Sequence, residues 1–110
     1  MTIWHRVIPI SALSYGEVHG CRIEGRDIAI YHSDEGFFAT ADHCSHGAAL
    51  LSEGLLDGCR IECPLHGAQF DIRTGEALSS PAYLPIQALP LRVRDGHVEV
   101  DVSPLDGTDS

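Results

Sequence analysis

Two short clips sixteen residues apart constrain this chain more than any other feature: Cys44-Ser45-His46 and Cys63-Pro64-Leu65-His66. Each puts one thiol and one imidazole on a tight turn. A fold that uses them must bring two turns together. Gly47 follows His46 and Gly67 follows His66, and glycine lets a loop turn sharply beside a ligand. Pro64 stiffens the second clip. The chain has four cysteines, Cys21, Cys44, Cys59 and Cys63, and no signal-peptide pattern, so metal or redox chemistry is expected of them before disulfides. Cys21 and Cys59 lie outside the clips and read as packed free thiols; four residues separate Cys59 from Cys63, which puts them on one face of a strand.

The rest of the sequence reads as short strands broken by turn residues. A strand is expected over Asp27 to His32, a turn at Ser33 to Gly36 and a strand over Phe37 to Thr40. Another strand precedes a turn at Glu24-Gly25. In "LPLRVRDGHVEVDV", Leu91 and Val93, then Val98, Val100 and Val102, alternate with polar residues around the tight-turn pair Asp95-Gly96, which predicts a hairpin. A short helical piece fits only around Ala48 to Ser52. The fold class is therefore all-β, a sandwich or small barrel of short antiparallel strands, with a loop-rich insertion over residues 42–69 that carries the chemistry. With 110 residues the chain makes one domain, expected over 1–102 with a polar tail at 103–110.

The net charge is −9, from 16 acids against 7 bases, and every base is Arg. That balance speaks against nucleic acid, whose phosphates need a basic face. It suits salt-sensitive docking to a basic partner, with Asp42, Glu53 and Asp57 around the clips as candidate contacts; the same acids equally fit a solvated loop. No apolar run reaches the roughly 18 residues that span a bilayer, and the expected location is the cytoplasm. His5, His19, His32 and His97 are scattered on strand or turn segments and read as surface or half-buried residues; His43, beside Cys44, is one more pH-sensitive group.

The clips allow three metal readings: structural zinc, a mononuclear redox metal, or a two-iron cluster with two Cys on one iron and two His on the other. Zinc fingers usually pair Cys with Cys and His with His, whereas each clip here is mixed, which suits a binuclear site with unlike ends. The pattern C-S-H-G, then sixteen residues, then C-P-L-H-G resembles the Rieske [2Fe-2S] proteins. The lead-in "FFATADHCSHGAALLSEG" and the exit "HGAQFDIRTGEALSSPAYLPI" extend the resemblance over nearly the whole chain. It implies a Rieske-like fold whose [2Fe-2S] cluster is held by Cys44 and Cys63 on the inner iron and His46 and His66 on the outer one. It also implies that the histidine edge is the docking face and that Ser79, Ser80 and Pro81 lie in a third covering loop.

Departures from the respiratory and photosynthetic members narrow the resemblance. Those carry a disulfide between the clips; Ala49 and Leu65 stand at its positions here. Those also place Ser and Tyr hydroxyls near the cluster sulfurs, where this chain has Ala68 and Phe70. Fewer donors leave the reduced cluster less stabilised, so a potential at the low end of the roughly −150 to +300 mV Rieske range is expected. The chain thus resembles the ferredoxin component of bacterial aromatic ring-hydroxylating dioxygenase systems. That implies a monomeric electron carrier, not itself an enzyme, between a flavin-containing NAD(P)H-dependent reductase and a terminal oxygenase. A small subunit of a nitrite reductase or other larger oxidoreductase, and a structural zinc module, are the alternatives.

Overall fold

The structure, a computed structural model, describes residues 3–45, 49–65, 67–79 and 84–105. Among these residues ten strands follow one another: β1 (His5–Pro9), β2 (Val18–Ile23), β3 (Arg26–Ser33), β4 (Gly36–Ala41), β5 (Leu55–Asp57), β6 (Arg60–Glu62), β7 (Gln69–Asp71), β8 (Ala88–Leu89), β9 (Leu91–Arg94) and β10 (His97–Val100). They form three antiparallel sheets, in the orders β1-β10-β9, β2-β3-β4-β8 and β5-β6-β7. No α-helix occurs among the described residues.

β3 explains the layering. Its run Ile28-Ala29-Ile30-Tyr31 is fully buried, the continuous apolar signature of a strand covered on both faces. Successive side chains point to opposite faces. Ala29 and Tyr31 join a core with Leu51, Ile61, Phe70, Ile72 and Ile86, whereas Ile28 and Ile30 join a second core with Ala39, Leu89, Val98 and Val100. The four-stranded sheet therefore separates two cores. The first contains both clip cysteines, Cys44 and Cys63. The second is sealed by the β9–β10 hairpin.

Both expected hairpin turns form as read. Glu24 and Gly25 have φ of 51° and 79°, and Asp95 and Gly96 have φ of 54° and 73°. Two positive φ values in a row match the twist of the strands they join. The β3 and β4 bounds fall within one residue of expectation.

Three differences have physical causes. β5, β6 and β7 each span three residues, too short for alternation to show, so a region read as loop-rich holds a small sheet. The short helical piece is a 3₁₀ turn at Leu51–Glu53, and a second such turn sits at Ile10–Ala12; one turn leaves no periodic signal. The segment read as a frayed tail begins with packed residues. The Leu105 N–H bonds the Val102 carbonyl at 3.0 Å, and Leu105 rests on the second core. Residues 106–110 lie outside the described residues.

Inside the four-stranded sheet, Tyr31 and Thr40 make a buried polar pair. The tyrosine Oη and the threonine Oγ are 2.8 Å apart, and Thr40 Oγ donates onward to the Ala41 carbonyl at 2.8 Å. Thr40 has one proton, so the tyrosine hydroxyl is the donor between them. Tyr31→Phe removes one bond and strands no donor, for a cost of about 1 kcal/mol. Thr40→Val leaves the Tyr31 hydroxyl buried without an acceptor and costs more, about 2–3 kcal/mol. Chemical denaturation of the two variants checks the order; equal losses would contradict the assigned proton direction.

Candidate metal centre

The two clips occupy loops of the same construction. In the first, His43 pairs with Leu50 and the Cys44 N–H bonds the Ala49 carbonyl at 3.0 Å. In the second, Glu62 pairs with Gln69 and the Cys63 N–H bonds the Ala68 carbonyl at 2.7 Å. Each cysteine is thus the first residue inside its loop, tied to the residue five positions on. Gly67 has φ +72°, so the glycine after the second clip is needed for its turn.

Both thiols end up in the first core, with Cys44 6% and Cys63 1% exposed. They share that core, and each feels the other electrically, although nineteen positions separate them in sequence. The Cys63 thiol is pushed up to about 11, chiefly by burial and also by the neighbouring Cys44 thiol, against the downward pull of the Leu65 backbone. A cation is what would displace such protons at neutral pH, because metal binding deprotonates a coordinating thiol outright. Two adjacent, buried soft donors fit an iron–sulfur centre.

His46 and His66 lie outside the described residues, as do Ser80 and Pro81. Their neighbours are placed. Pro64 and Leu65 are exposed, so the second loop runs from a buried cysteine to a surface tip. Ser45 Oγ donates to the Leu84 carbonyl at 2.6 Å, and Ser79 Oγ accepts from the Gln69 N–H at 3.1 Å. The chain on either side of residues 80–83 is thereby fastened to the first loop and to the base of the second. Ala68 and Phe70 are both fully buried.

The surrounding residues divide clearly. Glu53 and Asp57 are exposed. Asp42 is not: it is 2% exposed, and Ser52 holds its carboxylate through a backbone N–H and a hydroxyl at 2.7 Å each, so it is corrected from a docking acid to an internal one. A lone Asp ahead of a clip gives no sign in sequence of that inward role. His43 is exposed and pairs with Asp27 at 2.8 Å. Cys21 is half-buried on the second core, and its thiol is pushed up to about 11 by burial and by the Asp42 charge. Cys59 sits in the turn before β6, not in a strand, and packs beside the first core with its Sγ 3.6 Å from Ser33 Oγ. His5, His19, His32 and His97 are half-buried as expected, with His32 stacked between Tyr15 and Phe37 and its Nδ1 on the Leu13 carbonyl.

Two buried thiols from two loops fit more than one metal centre, but the sequence matches one family model, Rieske [2Fe-2S] domain, over residues 3–90. The chain belongs to the Rieske [2Fe-2S] family. Among relatives of this Rieske chain, the ferredoxin component of a naphthalene 1,2-dioxygenase system from Pseudomonas putida is 38% identical, over 94% of this chain and 100% of that protein. A 3-phenylpropionate/cinnamic acid dioxygenase ferredoxin subunit from Photorhabdus laumondii is 51% identical over 70% of this chain and 74% of its own. A solved complex of reduced oxygenase and oxidized ferredoxin in carbazole 1,9a-dioxygenase holds a chain that superposes with a TM-score of 0.83 at 39% identity, covering 87% of this Rieske protein and 99% of that chain. The family carries a Rieske-type [2Fe-2S] cluster, which is the cofactor of this chain.

Proposed function

We propose that this Rieske protein is the ferredoxin component of an aromatic ring-hydroxylating dioxygenase system. It takes single electrons from a flavin-containing NAD(P)H-dependent reductase and hands them to a terminal oxygenase. The observation that carries this reading is the pair of buried thiols, Cys44 and Cys63, brought into one core from two separate loops. Relatives with ferredoxin-component names over nearly their full length support it, as does the carbazole dioxygenase complex of an oxygenase with its ferredoxin. The chain is an electron carrier and not an enzyme by itself. It acts as a monomer in the cytoplasm, presenting one face to two partners in turn.

Cys44 and Cys63 would hold one iron of the cluster, and His46 and His66 would hold the other. When bound, the cluster supplies storage for one electron. The chain's own residues then set two properties. The buried cysteine end, within the first core, keeps water from the inner half. Pro64 and Leu65, beside the second cysteine, are exposed and offer a partner a surface to meet. Ala68 and Phe70 offer no hydroxyl from their side chains, which keeps the potential at the low end of the roughly −150 to +300 mV Rieske range.

Electron paramagnetic resonance of the dithionite-reduced protein tests the reading, followed by a redox titration of the same sample. A rhombic signal with a mean g value below that of all-cysteine clusters is the expected result. A colourless, zinc-containing chain would overturn it. A second expectation concerns Glu53, the exposed acid just before β5; Asp57 pairs with Arg60 at the end of the β5–β6 ladder away from Cys63 and is set aside. Electron transfer from the reductase slows as salt rises from low to physiological strength, because exposed charges steer encounter only within a Debye length of about 8–10 Å. Stopped-flow rates flat across that range would remove Glu53 from docking.

A further inference from the structure

The two cluster loops are built alike at the cysteines but not at their bases. The second loop stands on a ladder, in which Ile61 pairs with Phe70 and Arg60 with Asp71 below the Glu62–Gln69 pair. Both Ile61 and Phe70 are fully buried. Among the described residues, the first loop has only the isolated His43–Leu50 bridge. At the position two before its cysteine, where the second loop has Ile61, stands the buried Asp42.

Every polar group of Asp42 is engaged. Its N–H bonds the Asp27 carbonyl at 2.9 Å, and its carbonyl accepts from the Leu51 N–H at 2.7 Å. Its two carboxylate oxygens accept from the Ser52 N–H and the Ser52 hydroxyl at 2.7 Å each. β2 closes over this contact with a glycine. A Cβ at Gly20 would lie 2.6 Å from Ser52 Oγ and 3.2 Å from the Asp42 carboxylate. Burying a carboxylate is costly unless it is fully bonded, and here it is. The charge fastens the entry of the 43–50 loop to its exit, a task that a β ladder performs in the second loop.

We propose that Asp42 and Ser52 are positioning residues for the cluster: their buried clamp holds the first loop closed so that Cys44 meets Cys63. The inference rests on the assignment of those cysteines as ligands. The clamp braces the loop in a chain whose four cysteines are all free of disulfides.

Full-length wild type, Ser52→Ala, Asp42→Ala and Asp42→Asn are loaded with iron and sulfide. Iron per chain is measured, and then the decay of visible absorption in an iron chelator, at a temperature where every chain remains folded by circular dichroism. Ser52→Ala releases its cluster about tenfold faster than wild type, the scale of one lost bond to a buried charge. Asp42→Ala releases faster still. Asp42→Asn stays within about threefold, because an amide still accepts from the Ser52 N–H and can donate to the Ser52 hydroxyl. Ser33→Ala is the control for plain destabilisation. Ser33 is equally buried at 2% and donates to the Gly36 carbonyl at 3.2 Å, at the far end of the β3–β4 hairpin. It lowers the melting temperature without hastening release. Should Asp42→Ala not fold, Ser52→Ala alone decides. Release of Ser52→Ala at the wild-type rate, or no faster than Ser33→Ala at a matched melting temperature, overturns the clamp. A wild-type chain that takes up no iron overturns the ligand assignment and the clamp together.

Discussion

Cys63→Ser purifies colourless, with iron below about a tenth of the wild-type content, in the range expected when a centre loses a ligand rather than its surroundings. Cys63 is 1% exposed and packed in the first core with Cys44, so no other sulfur can reach its place without unpacking that core. A serine hydroxyl is a harder ligand and does not ionise as readily as a thiol held beside a metal. The paired variant is Cys59→Ser. Cys59 lies only four positions away, yet it sits at the other end of β6, bonded to Ser33. It keeps the full iron content and the same spectrum. Both variants remain folded, and Cys63→Ser loses about 1–3 kcal/mol of apo stability from an extra buried hydroxyl. Iron analysis and visible absorption of the two proteins side by side decide the matter. Wild-type colour in Cys63→Ser, or its loss in Cys59→Ser, would exchange the roles assigned to these cysteines.

Cys59 marks where sequence reading reaches its limit in this chain. Its spacing from Cys63 suggested one strand face, but the residue belongs to the turn at Gly58-Cys59, outside β6. Strands of three residues carry too little pattern to fix their own ends. Long strands did declare themselves. β3 shows an unbroken apolar run because two cores claim it, and the β9–β10 hairpin shows alternation because one core does. The turns Glu24-Gly25 and Asp95-Gly96 were legible because two successive positive φ values demand those residue types. The clips were legible because ligand chemistry restricts both residue type and spacing. The partner of a buried acid is not restricted in that way. Ser52 lies ten positions from Asp42, and only folding makes them neighbours.

The second cluster loop should also fail through a glycine that touches no iron. Gly75, in the Thr74-Gly75-Glu76 turn after β7, has φ +85°. A Cβ there would stand 2.0 Å from the Ile86 carbonyl oxygen and 3.3 Å from the Ala88 nitrogen. The contact is backbone to backbone, since the Ile86 N–H also bonds the Gly75 carbonyl at 2.8 Å. No rotamer change relieves it. Ile86 packs in the first core with Cys44 and Cys63, so moving it disturbs the wall of the site. Gly96 provides the comparison: φ is +73°, but a Cβ there meets nothing within 4 Å. Gly96→Ala therefore costs only the left-handed conformation, about 1–2 kcal/mol. Gly75→Ala adds forced displacement of packed backbone, for a total of at least about 3 kcal/mol. At this chain length that separates the two melting temperatures by about 5–10 °C, measured on cluster-loaded proteins so that cofactor binding stabilises both. If Gly75→Ala melts with Gly96→Ala, the segment leading into β8 yields cheaply, and the first core is softer around the cluster loops than its burial implies.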